Sequence, residues 1–119
     1  MNTFDWLMMG HFVGDWLLQN DWMAKGKKRR LFNLAGLAHL AAYTTTVVGA
    51  FWFSGVRDRQ PAFYLALGAI VLVSHWLIDA TRLVERWMRF YRQSDLEVVR
   101  LMVDQTLHLL VLAALAALV

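Results

Sequence analysis

Apolar runs of membrane-spanning length are the feature that most limits what this chain can fold into. A helix needs about 20 mostly apolar residues to cross the hydrocarbon core of a bilayer. Four stretches meet or approach that length, at about 4–22, 31–53, 61–81 and 98–119. Of the 119 residues, 59% are apolar and 18% are charged, whereas soluble domains average about 45–50% and about 25%. We therefore predict an all-α fold, a single polytopic membrane domain over residues 1–119 built as a four-helix transmembrane bundle.

Composition also excludes several classes of protein. The chain has no cysteine, so it has no disulfide framework, no cysteine-based zinc finger and no thiol nucleophile. Its apolar content is too high for an intrinsically disordered chain. The first apolar stretch has no basic leader and is interrupted by His11 and Asp15, so we expect a retained helix rather than a cleaved signal peptide.

The basic residues predict the orientation in the membrane. Five of the twelve lysines and arginines lie in the Lys25 to Arg30 segment, and five more lie between Arg82 and Arg100. Basic residues near the ends of spans favour the cytoplasmic side. We therefore expect both termini on the non-cytoplasmic side of a multi-pass protein in the bacterial inner (cytoplasmic) membrane. The Lys25 to Arg30 run is interpreted as a topological anchor; the alternative is a patch for anionic lipid or nucleic acid, and no nucleic-acid partner is expected.

Each of the four predicted spans contains one histidine. His11 and Asp15 are four residues apart, as are His75 and Asp79, and Asp104 and His108. Residues at this spacing share one face of a helix. Ionisable side chains inside a span cost at least about 2.5–3.5 kcal/mol each at the helix centre and usually mark function.

Because the four predicted helices alternate in direction, these side chains are expected at one depth in the bundle. Imidazoles and carboxylates that converge in a dry environment are typical ligands of a divalent metal ion, which would offset the burial of the aspartates. The alternative is a buried hydrogen-bond or proton network between the helices. The predicted ligands are His11, Asp15, His39, His75, Asp79, Asp104 and His108.

Seven candidate ligands exceed the four that one tetrahedral zinc ion needs. One or two ions are therefore expected, since two ions about 3.5–4 Å apart could share a bridging carboxylate. Carboxylate-bridged di-iron bundles favour Glu-x-x-His motifs, and no glutamate lies in the four predicted spans. This favours zinc, with manganese, magnesium and iron as alternatives.

Three polar residues are expected to bind substrate next to this centre. Gln19 extends the face of Asp15, and Lys25 and Arg82 stand at the predicted cytoplasmic mouth. Asp15 is the candidate catalytic base if it is not fully engaged by metal.

The motifs that carry these residues resemble a family of small bacterial and phage membrane proteins known as domain of unknown function 3307. The resemblance covers nearly the whole chain, although Arg82 stands where a lysine is usual. The family looks distantly similar to membrane-bound metal-dependent hydrolases, which implies a metal and points to hydrolysis. The matching segments are His11-Phe-Val-Gly-Asp15-Trp-Leu-Leu-Gln19, Met23-Ala24-Lys25, His39, Ser74-His75-Trp-Leu-Ile-Asp79 and Asp104-Gln105-Thr-Leu-His108.

Three functions remain open at this point. The first is a metal-dependent hydrolase of an anionic lipid or phosphoester. The second is a metal-stapled structural subunit that binds a membrane protein partner or a second copy of itself. The third is a transporter of a divalent cation or proton, which would need an oligomer because four helices form a narrow conduit. An open coordination position would favour the hydrolase over the staple.

Overall fold

The computed structural model describes residues 1–29 and 32–119, and this part of the chain is helical, without a β-strand. The all-α prediction is therefore confirmed. The elements are α1 (Thr3–Phe12), a π-helical turn (Val13–Leu17), α2 (Asp21–Arg29), α3 (Leu34–Phe53), α4 (Pro61–Ala80), α5 (Leu83–Phe90) and α6 (Glu97–Ala117).

Three helices in the described part of the chain are long and apolar enough to cross a membrane, namely α3, α4 and α6. Their outward faces carry large apolar side chains. On α4, for example, Leu65, Ile70 and Val73 are 75%, 48% and 50% exposed. A continuous apolar surface of this kind is unfavourable in water and suits contact with lipid. The fold therefore fits a bilayer environment.

The first predicted span, over about 4–22, does not form one continuous helix. The ten residues of α1 and the five of the π-helical turn end at Leu17 and measure about 22 Å at 1.5 Å per residue, less than the bilayer core of about 30 Å. The Asn20 side chain then accepts a hydrogen bond from the backbone N–H of Met23 at 2.9 Å. This cap starts α2 as a separate helix, so the prediction of a single helix was wrong.

Helix α1 packs beside α3 in the opposite direction. The Trp6 ring stacks on Phe53 with centroids 6.0 Å apart, which places the start of α1 at the end of α3. At Gly14, an added Cβ would lie 2.9 Å from the Cα of Tyr43, so only glycine permits this close approach. Gly26 of α2 meets the beginning of α3 at Ala35. Together, α1, the π-helical turn and α2 follow the length of α3.

The third predicted span, over 61–81, corresponds to the single helix α4. Pro61 occupies the first turn of α4, and the helix ends at Ala80. Arg82 then adopts a left-handed backbone with φ of 55°, a conformation that costs a non-glycine residue about 1–2 kcal/mol. Helix α5 begins afterwards and is a separate element.

The remaining boundaries agree closely with the apolar runs. Helix α6 begins at Glu97, one residue before the predicted start, and α3 ends at Phe53 as expected. The predicted start of the second span at Leu31, and the end of the basic run at Arg30, lie outside the described residues.

The apolar core and the buried polar residues occupy different levels of the bundle. The core contains Leu7 of α1, Phe51 of α3 and Leu115 of α6. The buried polar residues lie between this core and the end of the bundle that carries α2 and α5. They are His11, Asp15, His39, His75, Gln105 and His108.

Candidate metal centre

Four ligand atoms from three elements converge in the bundle. The π-helical turn supplies Asp15, α3 supplies His39, and α4 supplies His75 and Asp79. We call these residues the four-residue group. The Nε2 atoms of His39 and His75 lie 2.8 Å apart. Asp15 Oδ1 lies 3.2 Å from the Nε2 of His39, and Asp79 Oδ2 lies 3.0 Å from the Nε2 of His75.

The spacing of these atoms fits a small divalent ion. Donors bound at about 2.0–2.1 Å in a tetrahedron are about 3.3–3.4 Å from one another. The other two measured separations are 3.6 Å between His39 Nε2 and Asp79 Oδ2, and 3.9 Å between His75 Nε2 and Asp15 Oδ1. All five distances therefore bracket the tetrahedral value. The group could hold a metal ion with small adjustments of its side chains.

The group is almost completely shielded from solvent. The side chains of Asp15 and Asp79 are only 3% and 6% exposed, and two carboxylates buried together require a positive charge. The Nζ atom of Lys27 provides one, at 3.4 Å from Asp15 Oδ1 and 3.6 Å from Asp79 Oδ2. Burial by itself would lower the pKa of Lys27, but the charges of Asp79, Asp15 and Asp104 outweigh burial and raise this pKa above its ordinary value.

Lys27 was missed by the sequence analysis, which selected Lys25. Lys25 is exposed and does not line the cavity described below. Within α2, Met23 and Lys27 are four residues apart and both half-buried. Residues at this spacing share one face of a helix, so the apolar Met23 could have indicated that Lys27 faces the interior.

A second group shares Asp15 with the first. Its members are Asp15, Asp104 and His108, and we call it the three-residue group. The Nδ1 of His108 lies 2.8 Å from the backbone oxygen of Asp104, so this nitrogen carries the proton and donates. The Nε2 of His108 is buried and has no hydrogen-bond partner among the described residues. A buried nitrogen acceptor without a donor is a candidate ligand atom.

His11 lies outside both groups, contrary to the expectation that it is a ligand. Its Nδ1 is 2.9 Å from the Tyr43 hydroxyl, and its Nε2 is 2.9 Å from Gln105 Oε1. An amide oxygen only accepts, so Nε2 donates to Gln105 and Nδ1 accepts from Tyr43. Both ring nitrogens are thus engaged and neither is free for a metal.

The Gln105 amide links His11 to both groups. Its Nε2 lies 3.3 Å from Asp15 Oδ2 and 3.1 Å from Asp104 Oδ2. We call the chain Tyr43–His11–Gln105 the polar relay. Tyr43 also stacks on the ring of His75, with centroids 3.8 Å apart. The relay therefore orients the carboxylates of Asp15 and Asp104. Tyr43 was not identified from the sequence.

A cavity of about 450 Å³ opens directly beside these residues. Asp15, Asp79 and Asp104 are among its lining residues. The predicted substrate residues Gln19 and Arg82 also line it. The Oε1 atom of Gln19 is buried without a hydrogen-bond partner in the described part of the chain, and is available to accept a hydrogen bond from a water molecule or a bound ligand.

Comparison with known proteins supports the family resemblance and adds no function. No curated protein and no solved structure matches the chain. A family profile matches residues 3–119, which is nearly the whole chain and includes all members of both groups. The chain therefore belongs to the family described as protein of unknown function (DUF3307).

Proposed function

We propose that this protein is a membrane-embedded, metal-dependent hydrolase that cleaves an anionic phosphoester at the cytoplasmic side of the bilayer. The single observation that carries the proposal is that the carboxylates of the four-residue group form one wall of an open cavity. Structural metal sites are closed by protein ligands, whereas catalytic sites keep an open position for water and substrate.

The four-residue group is the proposed site of one divalent ion, with zinc favoured. Two imidazoles and two carboxylates are ligands that zinc accepts readily, and a water molecule from the cavity would be the fifth ligand that keeps the site open. Manganese, magnesium and iron remain alternatives, and magnesium fits less well because it prefers oxygen ligands in an octahedron. The three-residue group has only three protein donors and shares Asp15, so it would bind a second ion more weakly.

We propose that the single domain crosses the bacterial inner membrane with both termini outside. Helices α3, α4 and α6 would cross as continuous helices, α1 and the π-helical turn would form a short first crossing beside α3, and α2 would lie at its cytoplasmic end. Irregular backbone is tolerated at membrane depth where it is buried in protein or lines a cavity, and the break at Leu18–Asn20 lies beside Gln19 on the cavity wall. The excess of basic residues near α2 and α5 supports a cytoplasmic position for these helices.

The chemistry assigned to this site is hydrolysis of a P–O ester bond. A divalent ion in the four-residue group would polarise the ester and lower the pKa of a water molecule toward about 7. The oxygen of water bonds to phosphorus, the ester bond breaks, and the proton of the water passes to the departing oxygen. We assign the transfer of that proton to Asp104, because its side chain is 24% exposed and lines the cavity.

This assignment replaces Asp15 as the candidate base. Both oxygens of Asp15 already have partners: Oδ1 contacts Lys27 and His39, and Oδ2 accepts from Gln105. Asp15 also belongs to both groups. A carboxylate held on this many sides is better suited to bind a metal than to exchange protons with substrate.

A metal staple is the second candidate function, favoured by one observation. The four-residue group joins the π-helical turn, α3 and α4, so an ion there would tie three elements together. A staple for a partner subunit or a second copy predicts a bound metal and no catalysis.

Hydrolysis of two esters by the purified, metal-loaded protein separates the two functions. We expect release of 4-nitrophenol from 4-nitrophenyl phosphate, or of phosphate from phosphatidic acid in mixed micelles. Asp104→Asn should abolish release and keep the metal, and His75→Ala should lose both. The matched control is Asp58→Asn, which changes an exposed aspartate in the α3–α4 loop. Metal-loaded protein that cleaves neither ester would support the staple.

A further inference from the structure

The charges around the cavity do not by themselves favour an anion. Three of its lining residues are cationic, namely Lys27, Arg82 and Arg100. Five are carboxylates, namely Asp15, Asp79, Glu85, Glu97 and Asp104. With all eight ionised, the lining carries two net negative charges, so a phosphate would be repelled at close range. One divalent ion in the four-residue group brings the lining to neutrality.

The three cations differ in how far they are already engaged. Lys27 contacts Asp15 and Asp79. The guanidinium of Arg100 lies 2.5 Å from Asp95 and 4.0 Å from Glu85. Arg82 has neither an ion pair nor a side-chain hydrogen bond with the rest of the described chain. Arg82 is thus the cation that can turn its full set of donors toward a ligand.

The backbone holds Arg82 in this position at a cost. Its φ of 55° is left-handed, a conformation that non-glycine residues adopt infrequently. The residue forms the corner between α4, which ends just after Asp79, and α5, which supplies Val84 and Glu85 to the same cavity. A left-handed residue is common just after the end of a helix, and here it turns the chain so that Arg82 lies on the cavity wall.

A divalent ion would also change the role of Lys27. In this structure the Lys27 ammonium compensates the charges of Asp15 and Asp79. An ion bound to the same two carboxylates would supply that compensation in its place. Lys27, which lines the cavity, would then be released as a second positive charge for an anion.

We propose that the cavity binds the phosphate group of an ester, held by Arg82, and that it does so only when a divalent ion occupies the four-residue group. This proposal rests on the metal centre of the proposed function and adds the substrate class and its dependence on metal. Arginine is suited to the role because its planar donors match two phosphate oxygens at once.

The position and walls of the cavity favour a lipid as the source of that phosphate. Beside its charges, the cavity is lined by Ile78 of α4, Val84 of α5 and Leu101 of α6. It lies where α4 ends and α6 begins, which is the level of the lipid headgroups if these helices cross the bilayer. Trp16, also on the wall, is 52% exposed. An amphiphile could place its phosphate at Arg82 and its chains against these apolar residues.

Binding of short-chain probes tests the proposal without relying on catalysis. Zinc-loaded and chelator-stripped protein in a non-ionic detergent would be titrated with dihexanoyl phosphatidic acid, with inorganic phosphate and with dihexanoyl phosphatidylcholine, using native mass spectrometry. We expect phosphatidic acid to bind the loaded protein at least tenfold more tightly than the stripped protein. Phosphatidylcholine, which has no net charge, should bind weakly in both states.

Variants separate the arginine from the ion. Arg82→Gln should weaken phosphatidic acid binding at least tenfold at unchanged metal content, and the matched control Arg89→Gln, on an exposed position of α5, should not. Arg82→Gly removes the guanidinium, and glycine adopts the left-handed backbone without strain. This variant replaces Arg82→Gln in the test if Arg82→Gln does not fold. If inorganic phosphate binds the loaded protein as tightly as phosphatidic acid does, the phosphate site is supported and the proposal that a lipid supplies the phosphate is wrong.

Two results would overturn the proposal itself. One is phosphatidic acid binding that is equal with and without metal. The other is loaded protein whose affinity for phosphatidic acid is unaffected by either Arg82 variant. Failure of the protein to bind any divalent ion would instead contradict the proposed function, and metal content, measured first, distinguishes that case.

Discussion

The Nε2 atoms of His39 and His75 face each other at a distance of 2.8 Å. Two neutral imidazoles cannot both direct lone pairs at each other across this gap, because the nitrogens would repel. Either one nitrogen carries a proton, or both share a cation. Asp15 and Asp79 stand beside the same two atoms, so a cation also neutralises the carboxylates. The contact therefore fits either an N–H···N hydrogen bond between the two rings or a cation shared by all four side chains, and the proposed function requires the cation.

Removing one imidazole should remove the metal. His75→Ala leaves three donors and should lower zinc from about one ion per chain to below about one-tenth, as measured by inductively coupled plasma mass spectrometry. At a free metal concentration 100-fold above Kd, a bound ion stabilises the folded state by about 2.7 kcal/mol. A chelator should therefore lower the Tm of the wild type and leave that of His75→Ala unchanged. A chelator-insensitive wild type would contradict this prediction.

The polar relay should set metal affinity without supplying a ligand. Gln105→Leu removes the amide that contacts both Asp15 and Asp104. Loss of groups that orient metal ligands typically costs about 10–100-fold in affinity, so we expect Kd for zinc to rise within that range. Gln93→Leu, at an exposed position after α5, is the control. Complete loss of metal in folded Gln105→Leu would show that the relay does more than orient the carboxylates.

The close approach of the π-helical turn to α3 should depend on Gly14. In Gly14→Ala, the new Cβ would overlap Thr46 Oγ1 and lie 2.9 Å from the Cα of Tyr43. Overpacking of this kind costs about 1–3 kcal/mol, and it should also weaken zinc binding by displacing the neighbouring Asp15. Gly49→Ala meets no atom within 4 Å and should leave both the Tm in detergent and zinc affinity unchanged. Equal effects of the two substitutions would argue against the packing described here.

The orientation can be tested by cysteine labelling, since the chain has no native cysteine. We expect Asp58→Cys to react with a membrane-impermeant maleimide in intact cells. Lys25→Cys should react only after permeabilisation, because α2 is assigned to the cytoplasmic side by its basic residues. The reverse pattern would place the cavity on the opposite side of the membrane.

Helical spacing explains why much of the site could be predicted from the sequence. His75 and Asp79 lie one turn apart within the regular helix α4 and face the same ion site. His11 and Asp15 have the same spacing, but the π-helical turn begins between them and only Asp15 reaches the four-residue group. A π-helical turn changes the register of side chains, and the apolar pattern of Val13–Leu17 carries no sign of it.

The residues that the sequence did not identify depend on tertiary packing. Lys27 reaches Asp15 because the chain breaks after Leu17 and α2 then packs against the start of α3. That break also ended the first predicted span early. Arg82 was predicted at the mouth of the site, but its left-handed backbone is set by the corner between α4 and α5. Local propensity favours helix continuation at an arginine, so packing overrides it here.

X-ray absorption spectroscopy of the purified, zinc-loaded protein tests the central claim most directly, because it reports the atoms bound to the ion. The account predicts a shell at about 2.0–2.1 Å with the multiple scattering of two imidazoles from His39 and His75, two oxygens from Asp15 and Asp79, and one further oxygen from water on the cavity side. A four-coordinate shell of protein ligands alone would instead indicate the staple. In His75→Ala, any residual zinc should show one imidazole fewer. A shell without imidazole, or a protein that binds no stoichiometric divalent ion, would contradict the account.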